Sequence, residues 1–463
     1  MSTIDSVLSR VDANLDDSVS RLFDLLKIPS ISTDPAYNSD CRAAAEWMAN
    51  ALNEIGFDAS VRDTDGHPMV VAHDREVGDK PGPHVLFYGH YDVQPVDPLD
   101  LWERAPFEPF IKDGPDGRKL IVARGACDDK GQLMTFVEAC RAYKQETGTL
   151  PVKISILLEG EEESGSPSLE PFLEGHRDEL SHDLALVCDT GMWDAQTPGI
   201  TTMLRGLVGE EVTITGPDRD LHSGMYGGAA RNPIHVLTSA IADLRDEDGI
   251  IQVPDFYDGV IDMPANVTDE WAKLGATDEV MLSGVDLSIA AGEKGFSALE
   301  HTWTRPTCEV NGIWGGYTGD GFKTVIPSIA SAKISFRLVG HQDPLAIRKN
   351  FRAFIEARIP KDCSVTFAEH GASPAIFVAS DSDAVKKAGN ALEAEWGKST
   401  ALIGCGGSIP VVGEFKRILD MDSLLVGFAL EDDNVHSPNE KYDLQCFHKG
   451  IRSWARILNE LAS

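Results

Sequence analysis

The stretch His84-Val-Leu-Phe-Tyr88, running straight into Gly89-His90-Tyr91-Asp92, decides how this chain is read. A short apolar run that is apolar on both faces suits a buried strand of a sheet covered by helices. Its polar tail then places an imidazole and a carboxylate at the carboxyl end of that strand, where open α/β sheets bind ligands. The pattern recurs twice. Ile154-Ser-Ile-Leu-Leu158 leads into Glu159-Gly-Glu161-Glu162-Glu163-Ser-Gly-Ser166, and Leu184-Ala-Leu-Val-Cys188 leads into Asp189-Thr-Gly191. Taken singly, such acidic residues cap helices or face water. Three strands delivering them to one rim would repel by several kcal/mol, on the order expected at low effective dielectric. A bound divalent cation is the natural compensation.

Outward from these strands the texture is α/β. Val19, Leu22, Phe23 and Leu26 share a helical face, with Asp17 or Ser18 as the cap and Pro29 as the stop. A second helix is expected from Asp40 to Gly56, and a third through Leu133, Phe136, Val137 and Cys140. From about residue 206 the order changes to strand (Gly209–Thr215), helix (Asn232–Leu244), strand (Lys333–Val339), helix (Pro344–Ala357) and strand (Cys363–Ala368). We read this as a split β-α-β insert with helices on one face, ferredoxin-like in order. Residues 250–300 read as an irregular, acidic elaboration of it. The α/β texture returns after about 375, with Ala384, Val385, Ala388, Ala391, Leu392 and Trp396 on one helical face. The fold class expected is therefore α/β: a discontinuous domain with a helix-covered mixed sheet over 1–205 and 375–463, interrupted by an α+β insert over 206–374.

Composition narrows the function. At 463 residues the chain is too long for a single core, and its 42% hydrophobic and 25% charged content is that of a globular protein. Lys plus Arg number 41 against 74 Asp plus Glu, a net charge of −33. That balance argues against nucleic-acid partners and against an anionic membrane surface. No apolar run approaches a membrane span, and the opening Met1-Ser-Thr-Ile-Asp shows no signal peptide. Eight scattered cysteines without a C-x-x-C pair suit a reduced, cytoplasmic compartment.

Two more segments complete the chemistry: Arg124-Gly-Ala-Cys-Asp128-Asp129-Lys130-Gly131 and Asp432-Asp-Asn-Val-His436-Ser-Pro-Asn-Glu440. Together with Gly89-His90-Tyr91-Asp92, Glu162-Glu163-Ser164-Gly165-Ser166 and Asp189, they resemble the M20 family of metallopeptidases, and within it the carnosinase-like nonspecific dipeptidases. The resemblance runs over essentially the whole chain. It implies a site for two divalent ions per subunit, zinc first, with manganese or cobalt as alternatives. Asp128 would bridge them, His90 and Asp189 would complete one side, and Glu163 and His436 the other. A water shared by the ions would be deprotonated by Glu162 as general base, and Asp92 would support His90. Within the Glu161-Glu162-Glu163 run, the motif leaves Glu161 as a bystander.

The same resemblance extends to the insert, as lid and homodimer interface. The loop Asp220-Leu-His222-Ser-Gly matches one whose histidine reaches the active site of the neighbouring subunit and can stabilise an oxyanion. Thr324 and Arg337 match segments that contact the substrate's free carboxylate, a task suited to a guanidinium fork. Ser408, in Gly406-Gly407-Ser408-Ile-Pro410, matches a substrate-lining loop. One departure stands out: many dipeptidase relatives carry Arg-Glu before that run, and here Gly404-Cys405 stand there. The expected activity is hydrolysis of a dipeptide or similar small amide. An N-acyl- or N-carbamoyl-amino-acid amidohydrolase is the alternative that Cys405 keeps open, and a catalytically silent binding protein of the same fold is the third.

Overall fold

The computed structural model describes residues 3–76, 78–115, 117–263, 265–407 and 409–463. The chain forms two compact units, one of residues 1–202, 378–403 and 411–463, the other of 203–377 and 404–410.

In the first unit the three apolar runs are neighbouring parallel strands, His84–His90 between Lys153–Glu159 and Leu184–Val187. Ser423–Leu425 extends the parallel set beside Leu184–Val187, and Gly199–Leu204 pairs antiparallel with it. On the other side an antiparallel pair, Phe57–Arg62 and Met69–Asp74, closes the sheet against Lys153–Glu159. The sheet is thus mixed. Sequence reading did not anticipate the outer pair, nor a separate three-stranded sheet of Phe110–Asp113, Lys119–Val122 and Lys441–Asp443.

The helix Lys130–Thr147 is buried along its first fourteen residues, Lys130 to Tyr143, because it is enclosed rather than laid on a surface. Phe136 stacks on Phe87 of the sheet at 3.8 Å between ring centroids, and Trp454 of helix Leu444–Leu461 meets both rings edge-on. Such offset and edge contacts are the favoured aromatic geometries. The first expected helix begins earlier than its capping residues suggested, at Leu15, and a further helix, Thr3–Ala13, precedes it. Val7, Leu8 and Val11 of that helix join the core.

The second unit contains a four-stranded antiparallel sheet in the order Thr307–Gly315, Ile329–Leu338, Gly206–Thr215, Ser364–Ser373. With helices Pro233–Ala242 and Pro344–Glu356 between the strands, the chain order is strand, helix, strand, strand, helix, strand. Both helices start as their sequences dictate: Asn232 caps the Ile234 N–H and Asp343 those of Leu345 and Ala346, each with proline at the first turn. Along Gly206–Thr215 buried and partly buried residues alternate strictly. Val208, Val212 and Ile214 meet Phe336 and Phe351 in one core. The stretch 250–300 carries short helices, among them Asp278–Ser283 and Ala298–Trp303. The return of the first domain, expected to be continuous from 375, is interrupted: residues 404–410 cluster with the second unit. Trp303 explains this, since a Cβ at Gly404 would lie 2.6 Å from its ring, and Arg205 Nε donates to the Gly406 carbonyl at 3.0 Å.

Candidate metal centre

Each of the five side chains expected to hold metal lies in the first unit, at an element end that its own sequence creates. His90 is the last residue of its strand, and the ladder continues through Tyr91, whose N–H donates to Glu159 O at 2.9 Å. Asp128 ends the loop before Lys130–Thr147. That loop is drawn so close to the helix that a Cβ at Gly131 would lie 1.9 Å from Ala126 O, which is why glycine stands there. Glu162 and Glu163 open a single 3-10 turn after the strand Lys153–Glu159, and Asp189 follows Leu184–Val187. His436 has φ +61°, a left-handed conformation that costs a non-glycine residue roughly 1 kcal/mol or more. Asn434 and Asn439 on the same loop share it.

These ends converge. His90 Nε2 lies 3.1 Å from Asp128 Oδ1 and 3.9 Å from Asp189 Oδ2, while His436 Nε2 lies 2.9 Å from Asp128 Oδ2 and 3.3 Å from Glu163 Oε2. Two groups of three, His90–Asp128–Asp189 and Asp128–Glu163–His436, therefore share one carboxylate, each with its ligand atoms within 4.8 Å of one another. His90 is wholly buried, and its Nε2 faces only the carboxylates of Asp128 and Asp189 at 3.1 and 3.9 Å. Carboxylates crowded this closely in a buried place are costly unless positive charge compensates them. Imidazole and carboxylate donors in two sets around a shared bridge fit a pair of divalent first-row ions.

The electrostatics agree. Burial pushes Asp189 up to about 7, and the Asp128 charge adds to the push. Burial likewise carries Glu162 up to about 8; His90 opposes this, whereas Asp189, Glu163 and Asp128 reinforce it. All four of these charges act on the Glu162 carboxyl. Asp128 is held below the carboxylate range because hydrogen bonds from His436 and His90 outweigh its burial. His436 rises to about 10 through its hydrogen bonds to Asp128 and Glu163.

Around these groups lie residues that aim them. Asp92, fully buried, meets His90 Nδ1 with its backbone carbonyl at 3.2 Å and its Oδ1 at 3.3 Å, while Oδ2 accepts the Glu163 N–H at 3.1 Å, so one residue ties the two triads together. Gln94 Nε2 donates to Glu163 Oε2 at 2.8 Å, and Asp129 Oδ2 accepts the His90 N–H at 3.1 Å. Sequence reading missed both, although their signal was visible: Gln94 lies two residues past Asp92, and Asp129 directly follows the candidate ligand Asp128. Glu161 is no bystander. It is buried, accepting the His67 N–H at 2.8 Å and the Ser168 N–H at 3.1 Å, and it braces the loop that carries Glu162 and Glu163.

The residues expected to touch substrate belong to the second unit. His222 and Thr324 are neighbours there: His222 pairs with Val325 in a short ladder, and the Ser223 N–H donates to Thr324 O at 3.0 Å. The exposed His222 ring accepts the Gly224 N–H at Nδ1, 3.0 Å away. Arg337 sits on Ile329–Leu338 opposite Leu207 and Thr307. Ser408 lies outside the described residues. Cys405, which ends the strand Ala401–Cys405, is partly buried.

Comparisons with known proteins point the same way. A family model described as peptidase family M20/M25/M40 matches residues 86–460. The Cys-Gly metallodipeptidase dug1 of Schizosaccharomyces pombe is 30% identical over 483 residues, covering 100% of this chain and 99% of that protein. The human Beta-Ala-His dipeptidase is 28% identical over 479 residues, covering 99% and 93%. The crystal structure of the M20 family metallo-carboxypeptidase Sso-CP2 from Sulfolobus solfataricus superposes with a TM-score of 0.83 at 29% identity, covering 96% of this chain and 99% of that one.

Proposed function

Because this chain belongs to the M20 family of metallopeptidases, we propose that it hydrolyses the amide bond of dipeptides or similarly small amino-acid derivatives at a centre for two divalent ions. The observation that carries this is the pair of triads, His90–Asp128–Asp189 and Asp128–Glu163–His436, that share the Asp128 carboxylate. His90, Asp128 and Asp189 would hold one ion and Asp128, Glu163 and His436 the other, zinc first, with manganese or cobalt able to use the same donors. When bound, the ions would polarise the scissile carbonyl and acidify the attacking water.

The chain's own residues do the rest. Glu162 takes the proton of the attacking water on its carboxylate and returns it to the leaving amine nitrogen, a role matched by a carboxyl poised near neutrality. Asp92 holds His90 through Nδ1 and Glu163 through its N–H, so the two halves of the centre keep their spacing. Arg337 would pair its fork with the substrate's terminal carboxylate, Thr324 and Ser408 would line its binding, and His222 would donate to the carbonyl oxygen as it gains charge. The second unit would serve as the lid and as the interface of a homodimer.

Cys405 favours a second reading. A thiol where dipeptidase relatives carry an acid removes one partner for a substrate amine, which suits N-acyl or N-carbamoyl amino acids. A panel of dipeptides, N-acyl and N-carbamoyl amino acids, assayed with and without a chelator, separates the two. Dipeptide cleavage that the chelator abolishes supports the first. Turnover of blocked amino acids alone supports the second, and inactivity of metal-loaded protein on all three classes refutes both.

A further inference from the structure

We propose that Glu440 is a positioning residue for the metal centre: it locks the loops bearing His90, Asp128 and His436 into one register, and the affinity for the ion pair depends on it although it offers no ligand atom. The inference rests on the metal-site reading above.

The geometry begins with a ladder. Lys119–Val122 and Lys441–Asp443 pair antiparallel, with Lys441 opposite Val122. The segment leaving the first strand carries Asp128, and the segment entering the second carries His436, so both loops start from the same end of one ladder. Glu440 stands at that junction, wholly buried. Its Oε1 accepts the Cys127 N–H at 2.9 Å and the Asp128 N–H at 3.0 Å. Its Oε2 accepts the Gly125 N–H at 2.9 Å and Arg124 Nη1 at 2.8 Å. Its own carbonyl accepts the Ala123 N–H at 3.2 Å. Arg124 then donates through Nη2 to Pro95 O at 2.9 Å, in the segment that follows His90 and Asp92.

The residue type follows from this count. A carboxylate has about four acceptor positions, and four donors converge on this one. Glutamine would keep the shape but turn an NH2 group toward N–H donors, leaving at least two of them opposed. The Asp128 backbone is therefore set by a group four residues beyond His436, and the 2.9 Å contact between Asp128 and His436 is fixed from behind. With all its acceptor positions taken, Glu440 acts only through its neighbours.

The test uses the full chain and Glu440→Gln, measuring zinc affinity by competition with a chromophoric chelator, the visible d–d bands of the cobalt-loaded protein, and the melting temperature of the metal-free protein. The expected result is about 10–100-fold weaker binding of at least one ion, with shifted cobalt bands. A purely structural role would lower the metal-free melting temperature while leaving the affinity and spectrum of the folded protein as in wild type, and that result overturns the proposal. Should the glutamine variant not fold, Glu440→Asp keeps the charge but withdraws the oxygens by one carbon, and the same two readouts decide. If wild-type protein binds no pair of ions, the metal-site reading itself fails. If wild type binds two and both variants match it, only the role of Glu440 fails.

Discussion

Acid should weaken this protein through a cluster far along the sheet strands from the metal centre, and the size of the effect can be worked out. His73 Nδ1, His84 Nε2 and His182 Nε2 all approach the buried Ser155 Oγ, at 2.8, 3.0 and 2.8 Å. His73 Nε2 faces Glu179 at 3.1 Å and must carry a proton there, so its Nδ1 accepts the serine hydroxyl. The other two rings donate to the hydroxyl oxygen, which completes its bonding. Arg62 holds Glu179 from outside, while Asp183 and Lys153 flank His84. Protonating His182 would charge a ring stacked 3.5 Å from His84 in a partly buried place. Burial, then the His84 and His73 charges, lower its pKa from 6.5 to about 4.

The unfolded chain thus binds a proton that the folded one refuses between about pH 6.5 and 4. Stability from this group is intact above 6.5 and falls as pH drops through that window. The loss amounts to roughly 2 kcal/mol at pH 5 and about 3 kcal/mol below pH 4. Glutamine can present an amide N–H near the position of Nε2 and cannot be charged. His182→Gln should therefore lose about 2 kcal/mol less than wild type between pH 8 and 5, read as a difference of roughly 2–3 °C in the melting-temperature shift. Titrating groups remote from His182 cancel in that comparison. Parallel melting curves for the two proteins across this range would refute the reasoning.

Three other outcomes are expected. Glu162→Gln should keep its metal content while turnover drops by about 10²–10⁴-fold, checked by metal analysis beside a peptidase assay; undiminished turnover would remove Glu162 from the mechanism. Gly66→Ala should lower the melting temperature by an amount equivalent to about 1–3 kcal/mol, because the new Cβ would lie 1.6 Å from Glu161 Oε1 and displace the brace behind Glu162. Mixing inactive His222→Ala and Glu162→Gln proteins should restore part of the activity if the histidine acts across a dimer; mixtures as inactive as their parents would show that it acts within one chain.

Much of the fold was legible because its signals are local. Runs such as His84–Tyr88 and Ile154–Leu158 are too short and too uniformly apolar for anything but covered strands, and the caps Asn232 and Asp343 announce their helices. The outer strands Phe57–Arg62 and Met69–Asp74 escaped notice although Phe57-Asp-Ala-Ser-Val-Arg62 alternates and Met69-Val-Val-Ala72 is a short apolar run, because which strands join a sheet at its edge is set by pairing and not by local pattern. Helix Thr3–Ala13 was missed because its three core residues, Val7, Leu8 and Val11, make a narrow stripe in a polar segment.

What the sequence determined by itself was the inventory: which element ends carry imidazole and carboxylate, and that so many acids at one rim need positive charge. The tertiary structure alone decided which atoms meet. Asp128 and His436 are more than 300 residues apart and come within 2.9 Å only because two distant strands pair beneath them. It also separated supports from spectators, making Glu161 a buried brace and Glu440 the acceptor of four donors. Backbone N–H groups are the same at every position of a sequence, so what a carboxylate binds becomes visible only once the chain has folded around it.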